Sequence, residues 1–382
     1  MAAALDMDAV GVSKDAIRAT LRALRAHSGA GPLPSESDLR ALVETALWAG
    51  LRREEGRPLS FSFAYVPQQQ CEPNERIDFA SPVRLVPSEL ARIAPALLPK
   101  TSRFGVSSLH GSLRVWGITL DPPPCVKVRA LAPGRVVVKY GLENAAVLEP
   151  PDNYVVAGNL RRCMQLITSG IGRFGTERPV LAALVLMITD VVRRHGNGGA
   201  LLVGPHEDRA WLEALEPRLV RSRSPAAGLS ADLAEMERSA MECKAAGLSE
   251  FEAAQEVPAI RAFLNEEQLE EPLNRRVASI GQLSAIDGAL VMDDQLQLID
   301  FGAKIRPQPP AWYRERTIPL RTTSKKRLGE VGGTRHRSAL GFVQATKAVA
   351  LVASHDGPLS LFVHDRERGG VVCMRHLERL ID

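Results

Sequence analysis

The sequence predicts an α/β protein in two parts, an N-terminal α+β module and a C-terminal mixed β-sheet flanked by helices. Three observations carry that expectation. The 382 residues, 45% apolar and 24% charged, exceed the length at which one hydrophobic core stops growing, so two or three domains are expected. Apolar spacing switches from the helical period to strict alternation near residue 59, which marks a change from helix to strand. From residue 177 onward, helix-length and strand-length apolar segments alternate, the pattern of a sheet covered by helices.

Residues 1–32 read as a helical segment. Ser13 stands ahead of Ile17, Leu21 and Leu24 at helical spacing, and Gly29, Gly31 and Pro32 end the run. Residues 33–150 form the α+β module. Ser35 with Asp38 three residues on resembles a capping box, and Leu39, Leu42, Val43, Leu47 and Leu51 make one apolar stripe. The polar run Glu54-Glu55-Gly56-Arg57 follows, read either as a surface turn or as an ion-paired hinge. Leu59, Phe61, Phe63 and Tyr65 then alternate with small or polar residues, as a half-buried strand does. Further strands are predicted over 83–86, 112–120, 126–130 and 136–140, with one short helix capped by Ser88. Residues 151–176 read as a linker. Within it Gly170 to Gly175 looks like half a phosphate loop, but no Lys-Ser or Lys-Thr follows, so a turn is favoured.

Residues 177–382 form the second module. Pro179 suits the first turn of a helix running to His195, with Leu181, Leu184, Val185, Ile188 and Val192 as its buried stripe. Residues 198–204 read as a buried strand between glycines, and helices are expected over 230–246 and around 251–269. An apolar segment over 277–283 leads to Asp287-Gly288-Ala289, and residues 296–299 supply a return strand. Residues 306–333 read as a long polar connection containing Lys325, Lys326 and Arg327, followed by a helix over 338–347 and strands over 348–353 and 359–363. A connection this long in a compact domain is more often functional than not.

Composition narrows the function classes. A net charge of +4 with 5% aromatics argues against general nucleic-acid binding. The five cysteines are scattered singly, without zinc-site spacing, and reduced thiols in a cytoplasmic protein are the simplest reading. The longest apolar run, residues 180–189, is far short of the roughly 20 residues a membrane span needs. The acidic N-terminus has no basic leader, so neither membrane insertion nor export is expected.

Two motifs carry chemistry. Ile286-Asp287-Gly288-Ala289 sets one carboxylate on a corner of small residues; alone, it reads first as an Asp-Gly turn. Gly333-Thr334-Arg335-His336-Arg337 gathers two guanidiniums and an imidazole ahead of a helix; alone, it reads first as a solvated cluster. Guanidinium forks match phosphate oxygens, and a helix amino end adds positive potential. Lys325, Lys326 and Arg327 would extend such an anion site or remain solvated. His195 and His206 flank the first strand of the second module; either one lines the pocket, or His195 is simply a helix C-terminal histidine.

Together the two motifs, in this order, resemble the signatures of the diadenylate cyclase (DAC) domain. The Glu-Glu-Gly-Arg-Pro run before a strand and the late Ser354-His355-Asp356-Gly357 turn make the chain most similar to the DACNV-type nucleotide-sensor proteins. The resemblance implies a DAC-like mixed sheet over residues 177–382. It implies nucleotide binding by Asp287, Gly288, Ala289, Gly333, Thr334, Arg335, His336, Arg337 and Ser354, and Mg²⁺ or Mn²⁺ binding by Asp287 and Asp356. Active members carry Ser-Glu-Glu where Ser354-His355-Asp356 stands here, which implies a nucleotide sensor without catalysis. The sensor would bind ATP or an adenine or cyclic dinucleotide and pass its state to an effector protein through residues 30–150. The alternative is an active cyclase joining two ATP molecules into cyclic di-AMP, with Asp287 as the catalytic residue. It would need a homodimer, since each DAC site holds one substrate. A scaffold that has lost ligand binding is the third class.

Overall fold

The computed structural model describes residues 12–27, 31–54, 57–59, 61–97, 102–109, 111–120, 122–171, 178–216, 228–265, 269–318, 323–355 and 358–381. It divides into two compact units, residues up to 158 and residues 159–264 with 268–381. Both are mixed α/β, each built on one large mixed sheet.

The first unit opens with helices α1 (Lys14–His27) and α2 (Glu36–Gly50). Ser35 caps α2 as expected, its side chain accepting the Asp38 N–H. Strands β1 (Arg53–Glu54) and β2 (Arg57–Pro58) make a minimal antiparallel ladder; the tip Glu55-Gly56 lies outside the described residues. There follow β3 (Phe61–Tyr65), β4 (Arg76–Arg84), helix α3 (Pro87–Ile93), β5 (Arg103–Leu109), β6 (Ser112–Thr119), β7 (Val126–Ala132), β8 (Arg135–Tyr140), β9 (Glu143–Glu149) and β10 (Asp152–Val155). The sheet runs β10-β9-β8-β7-β3-β5-β6-β4, with β3 and β5 parallel.

The period-two alternation of β3 sorts its side chains between two cores. Phe61 and Phe63 join Ile17, Leu24, Leu39, Leu42, Leu90 and Phe104 in the main core under the helices, while Ala64 belongs to a small cluster with Val66, Cys71, Trp116 and Cys125. Helix α3 starts at Pro87 with Val86 as its N-cap, so Ser88 is inside the helix rather than its cap. The proline, which needs no N–H partner, sets the start.

The second unit contains α4 (Asn159–Ile171), α5 (Pro179–Arg194), β11 (Gly199–Gly204), β12 (Leu215–Glu216), α6 (Ser230–Ala245), α7 (Glu250–Glu256), α8 (Pro258–Asn265), α9 (Glu271–Gln282), β13 (Ala289–Asp293), β14 (Leu298–Ile305), β15 (Trp312–Thr317), β16 (Thr323–Arg327), α10 (Thr334–Thr346), β17 (Val349–Ala353), β18 (Leu359–His364), β19 (Val371–Arg375) and α11 (Glu378–Ile381). Its sheet order is β12-β14-β13-β11-β17-β18-β19-β15-β16. The pairs β11/β13 and β15/β19 are parallel and the other pairs antiparallel.

Helix α5 is buried almost all round, as a helix between other layers must be. It lies so close to β11 that a β-carbon on Gly199 would stand 2.6 Å from Val192 Cγ1. The opposite face carries α10, whose Leu340, Phe342 and Val343 pack with Leu202, Val352 and Phe362.

Four segments depart from the sequence expectation. Residues 151–176 contain strand β10 and helix α4, and residues 172–177 lie outside the described residues. The helix expected around 251–269 is two helices, because Val257 is extended ahead of Pro258, as a residue before proline prefers. The apolar segment at 277–283 is the end of helix α9. Residues 306–333 contain the β15/β16 hairpin at the sheet edge. There Lys325 stacks on Trp312, its Nζ 4.3 Å from the ring centroid, and Lys326 pairs with Glu330 at 3.1 Å. Lysines on an edge strand discourage pairing with further strands.

Glu378 ties α11 to the sheet. Its carboxylate accepts the Leu359 N–H at 2.8 Å, and His376 Nδ1 stands 3.1 Å away. Burial alone would raise its pKa, but hydrogen bonds from His376, Leu359 and its own N–H hold it below the ordinary 4.5. A depressed carboxyl stabilises the fold above its unfolded pKa, and that contribution is lost as pH falls through the folded value. Acid titration followed by hydrogen exchange at the Leu359 amide should therefore show protection lost as the pH falls below the ordinary carboxyl range. In Glu378→Gln that pH dependence should be flattened; an unchanged profile would exclude this carboxylate as the cause.

Candidate functional site

Register brings three chain segments to one end of the second sheet. Ala200 of β11 pairs with Ala289 of β13, and Gly199 pairs with Ala353 of β17. The residues just outside these strands, Asn197-Gly198, Asp287-Gly288 and Ser354-His355, therefore share one rim. Helix α10 reaches it from its amino end, where Arg335 Nη1 donates to the Asn197 carbonyl at 3.4 Å. Gly198, at φ +66, makes that approach possible. A β-carbon there would stand 3.0 Å from Arg335 Nη1 and 3.1 Å from both the Ala353 oxygen and the His355 nitrogen.

Asp287 is exposed on this rim. The small residues after it answer to the fold. Gly288, at φ +126, lies against Gly302 so tightly that a β-carbon would stand 2.6 Å from its Cα, and Ala289 is buried in the strand core. The close approach that the Gly-Ala corner permits is thus, at Gly288, that of backbone to backbone.

Helix α10 begins at Thr334, four residues earlier than expected, with Gly333 as an N-cap that provides no side-chain hydrogen bond. The Thr334–Arg337 cluster is therefore the first helical turn itself. At 3.6 residues per turn, neighbouring side chains point about 100° apart, so the cluster fans out. Arg337 and Thr334 are exposed and Arg335 is half-buried. His336 turns inward to 6% exposure, its ring edge-on to Phe362 at 6.0 Å and its Nε2 3.4 Å from Ser360 Oγ. His336 is thus placed in the core, while Arg337 is exposed and Arg335 half-buried. Neither Arg335 nor Arg337 has a carboxylate partner among the described residues.

His195 joins the rim from the end of α5. Its Nε2 is 2.9 Å from Ser284 Oγ, whose own O–H is donated to the Gly281 carbonyl at 2.7 Å, and its Nδ1 accepts the Asn197 N–H at 3.2 Å. That pattern requires the neutral ring with its proton on Nε2. Burial first, then the nearby Arg335 guanidinium, hold its pKa below the ordinary 6.5, which agrees. With both nitrogens engaged, His195 positions the Asn197 loop under Arg335.

Lys325 and Lys326 are engaged on the edge hairpin, and Asp356 lies outside the described residues. No cluster of three or more His, Cys, Asp or Glu side chains able to hold a metal occurs among the described residues. His206 stands at the other end of β11, 2.7 Å from the fully buried Asp293 carboxylate, which Arg209 also meets at 3.2 Å. Buried Cys125 and Cys373 are pushed up to about 11 and about 12, chiefly by burial, so they are inert thiols rather than nucleophiles.

No described helix is long and apolar enough to cross a membrane. No curated protein was found that matches the chain. The family match falls in the first unit, where the sequence motifs were least specific, and ends before the second unit begins: residues 28–120 match the family described as probable sensor domain DACNV.

Proposed function

We propose that the second unit is a DAC-like nucleotide-binding domain, and that the chain is a sensor holding ATP or an adenine dinucleotide at the rim formed by Asp287, Arg335 and Arg337. One observation carries this reading: two guanidiniums without carboxylate partners flank the amino end of a thirteen-residue helix that has no side-chain cap, on the rim that also bears Asp287. Charge-assisted pairs and helix N–H groups favour phosphate there. A family-implied Mg²⁺ or Mn²⁺ fits this donor set as an ion that arrives with the phosphates, because such ions need only one or two protein carboxylates beside phosphate oxygens. Asp287 would hold it, and it would neutralise phosphate charge.

The probable sensor domain in the first unit supports a sensing role for the chain. An effector partner would read the bound state. The loss of a second acid where His355 stands favours binding over turnover.

Arg335→Ala is expected to weaken ATP binding by about 10- to 100-fold, the worth of one charge-assisted contact, with the melting temperature retained. Equilibrium dialysis with labelled ATP and Mn²⁺ measures it. Retained ATP without product supports the sensor. Cyclic di-AMP, formed by the wild type and absent with Asp287→Asn, would establish the cyclase. No binding of ATP or of cyclic dinucleotides would overturn the reading.

A further inference from the structure

The first unit contains a pocket of about 300 Å³, at the lower end of the range of small-molecule sites. Every residue lining it lies inside the stretch that matches the sensor family. The strand lengths create it. The pairing of β3 with β5 ends at Tyr65 opposite Val106, and Pro67 leads into a tight turn. β5 continues through Ser107–Leu109 paired with β6 alone among the described residues. One edge of β5 is thereby left open beyond the carboxyl end of its parallel neighbour, a place where mixed sheets commonly take ligands.

The walls divide into two chemical kinds. The aromatic walls have already used their polar atoms: Trp116 Nε1 donates to the Val66 carbonyl at 3.0 Å, and the Tyr65 hydroxyl bonds the Asp38 carboxylate. Trp116 is also held rigidly, because it lies across Gly105, where a β-carbon would come within 2.6 Å of the ring. What these two side chains offer a ligand is apolar surface. The polar walls are the reverse. Gln68, Ser107, Ser108 and Arg114 also line the pocket, and none of their side chains has a hydrogen-bond or ion-pair partner among the described residues.

We propose that this pocket binds a small organic monocarboxylate with a flat apolar body. The Arg114 fork would take the carboxylate and Trp116 with Tyr65 the body, while Ser107, Ser108 and Gln68 would take a remaining polar substituent. A single guanidinium matches a single negative charge. A nucleoside triphosphate would bring several, with Asp38 close behind Tyr65, so the nucleotide belongs elsewhere. This site is distinct from the rim of the second unit, and either reading can fail without the other.

The test uses the full chain and ligand-observed NMR titration with benzoate, salicylate and cinnamate, each against its neutral amide. At least one carboxylate should bind with Kd below about 1 mM and exceed its amide by about tenfold or more. Arg114→Ala should erase that preference, and Arg114→Lys, which keeps the charge but not the fork, should retain part of it. Melting temperatures of both variants report that the unit remains folded. The proposal is overturned if none of the carboxylates binds at that concentration, if acid and amide bind alike, or if the folded Arg114→Ala protein keeps the wild-type preference.

Discussion

Replacing Asp293 with alanine is expected to cost the second unit about 2–4 kcal/mol. The carboxylate is fully buried at the turn between β13 and β14. Its Oδ1 accepts the N–H groups of Gln295 at 3.1 Å and Gln297 at 2.9 Å, and its Oδ2 meets His206 and Arg209. The turn it organises also carries Leu296 at φ +54, a conformation costly for a leucine. His206 and Arg209 are partly exposed, so solvent screens their share and little of the loss comes from them. The greater part arises from two N–H groups that lose a charged acceptor. Asparagine keeps the shape and one acceptor oxygen, so Asp293→Asn should fall between wild type and alanine. Urea unfolding reads the difference as a shift in midpoint. A loss for Asp293→Ala within about 0.5 kcal/mol would refute the assignment, because that is the range of an ordinary surface change.

Gly288→Ala should be comparably damaging, by about 2–4 kcal/mol from positive-φ strain and overpacking together. The residue sits at φ +126, and its would-be β-carbon meets Gly302, itself a glycine at φ +72. Neither backbone can retreat without breaking the β13/β14 ladder, which is already irregular beside Ala289. Asp287→Asn, one residue away and exposed, should leave the melting temperature unchanged. The pair separates two causes of lost binding. Loss with Gly288→Ala reports a disturbed sheet, whereas loss with Asp287→Asn reports chemistry at the rim. A Gly288→Ala protein melting like the wild type would contradict the close approach.

Much of the scaffold was legible in the sequence where one physical signal dominated. The alternation of β3 and the Ser35 cap of α2 were of this kind, as was the apolar stripe of α5. The missed elements were those in which a second constraint masked the first. Strand β16 at the sheet edge carries Lys325 and Lys326, and its neighbour β15 carries Arg314, Glu315 and Arg316; charge of that density reads as loop. Helix α9 shows Leu273, Val277 and Ile280 at helical spacing, but its end was absorbed into the approach to Asp287.

At the rim, residue types were readable and directions were not. Nothing in Thr334 to Arg337 announces that the helix has already begun, and that single shift sends His336 inward. The pocket of the first unit left no motif, since it arises from the unequal lengths of β3 and β5.

The charged hairpin at one edge of the second sheet has a bearing on assembly. A strand whose outward groups sit among lysines does not recruit a neighbour, so two copies of this chain would not be expected to join by extending the sheet through β16. The rim lies elsewhere, across the ends of β11, β13 and β17, perpendicular to the direction in which a sheet grows. Any pairing of copies that brought two rims face to face would thus be an end-on contact, made and broken by ligand chemistry without adding to the hydrogen-bonded ladder.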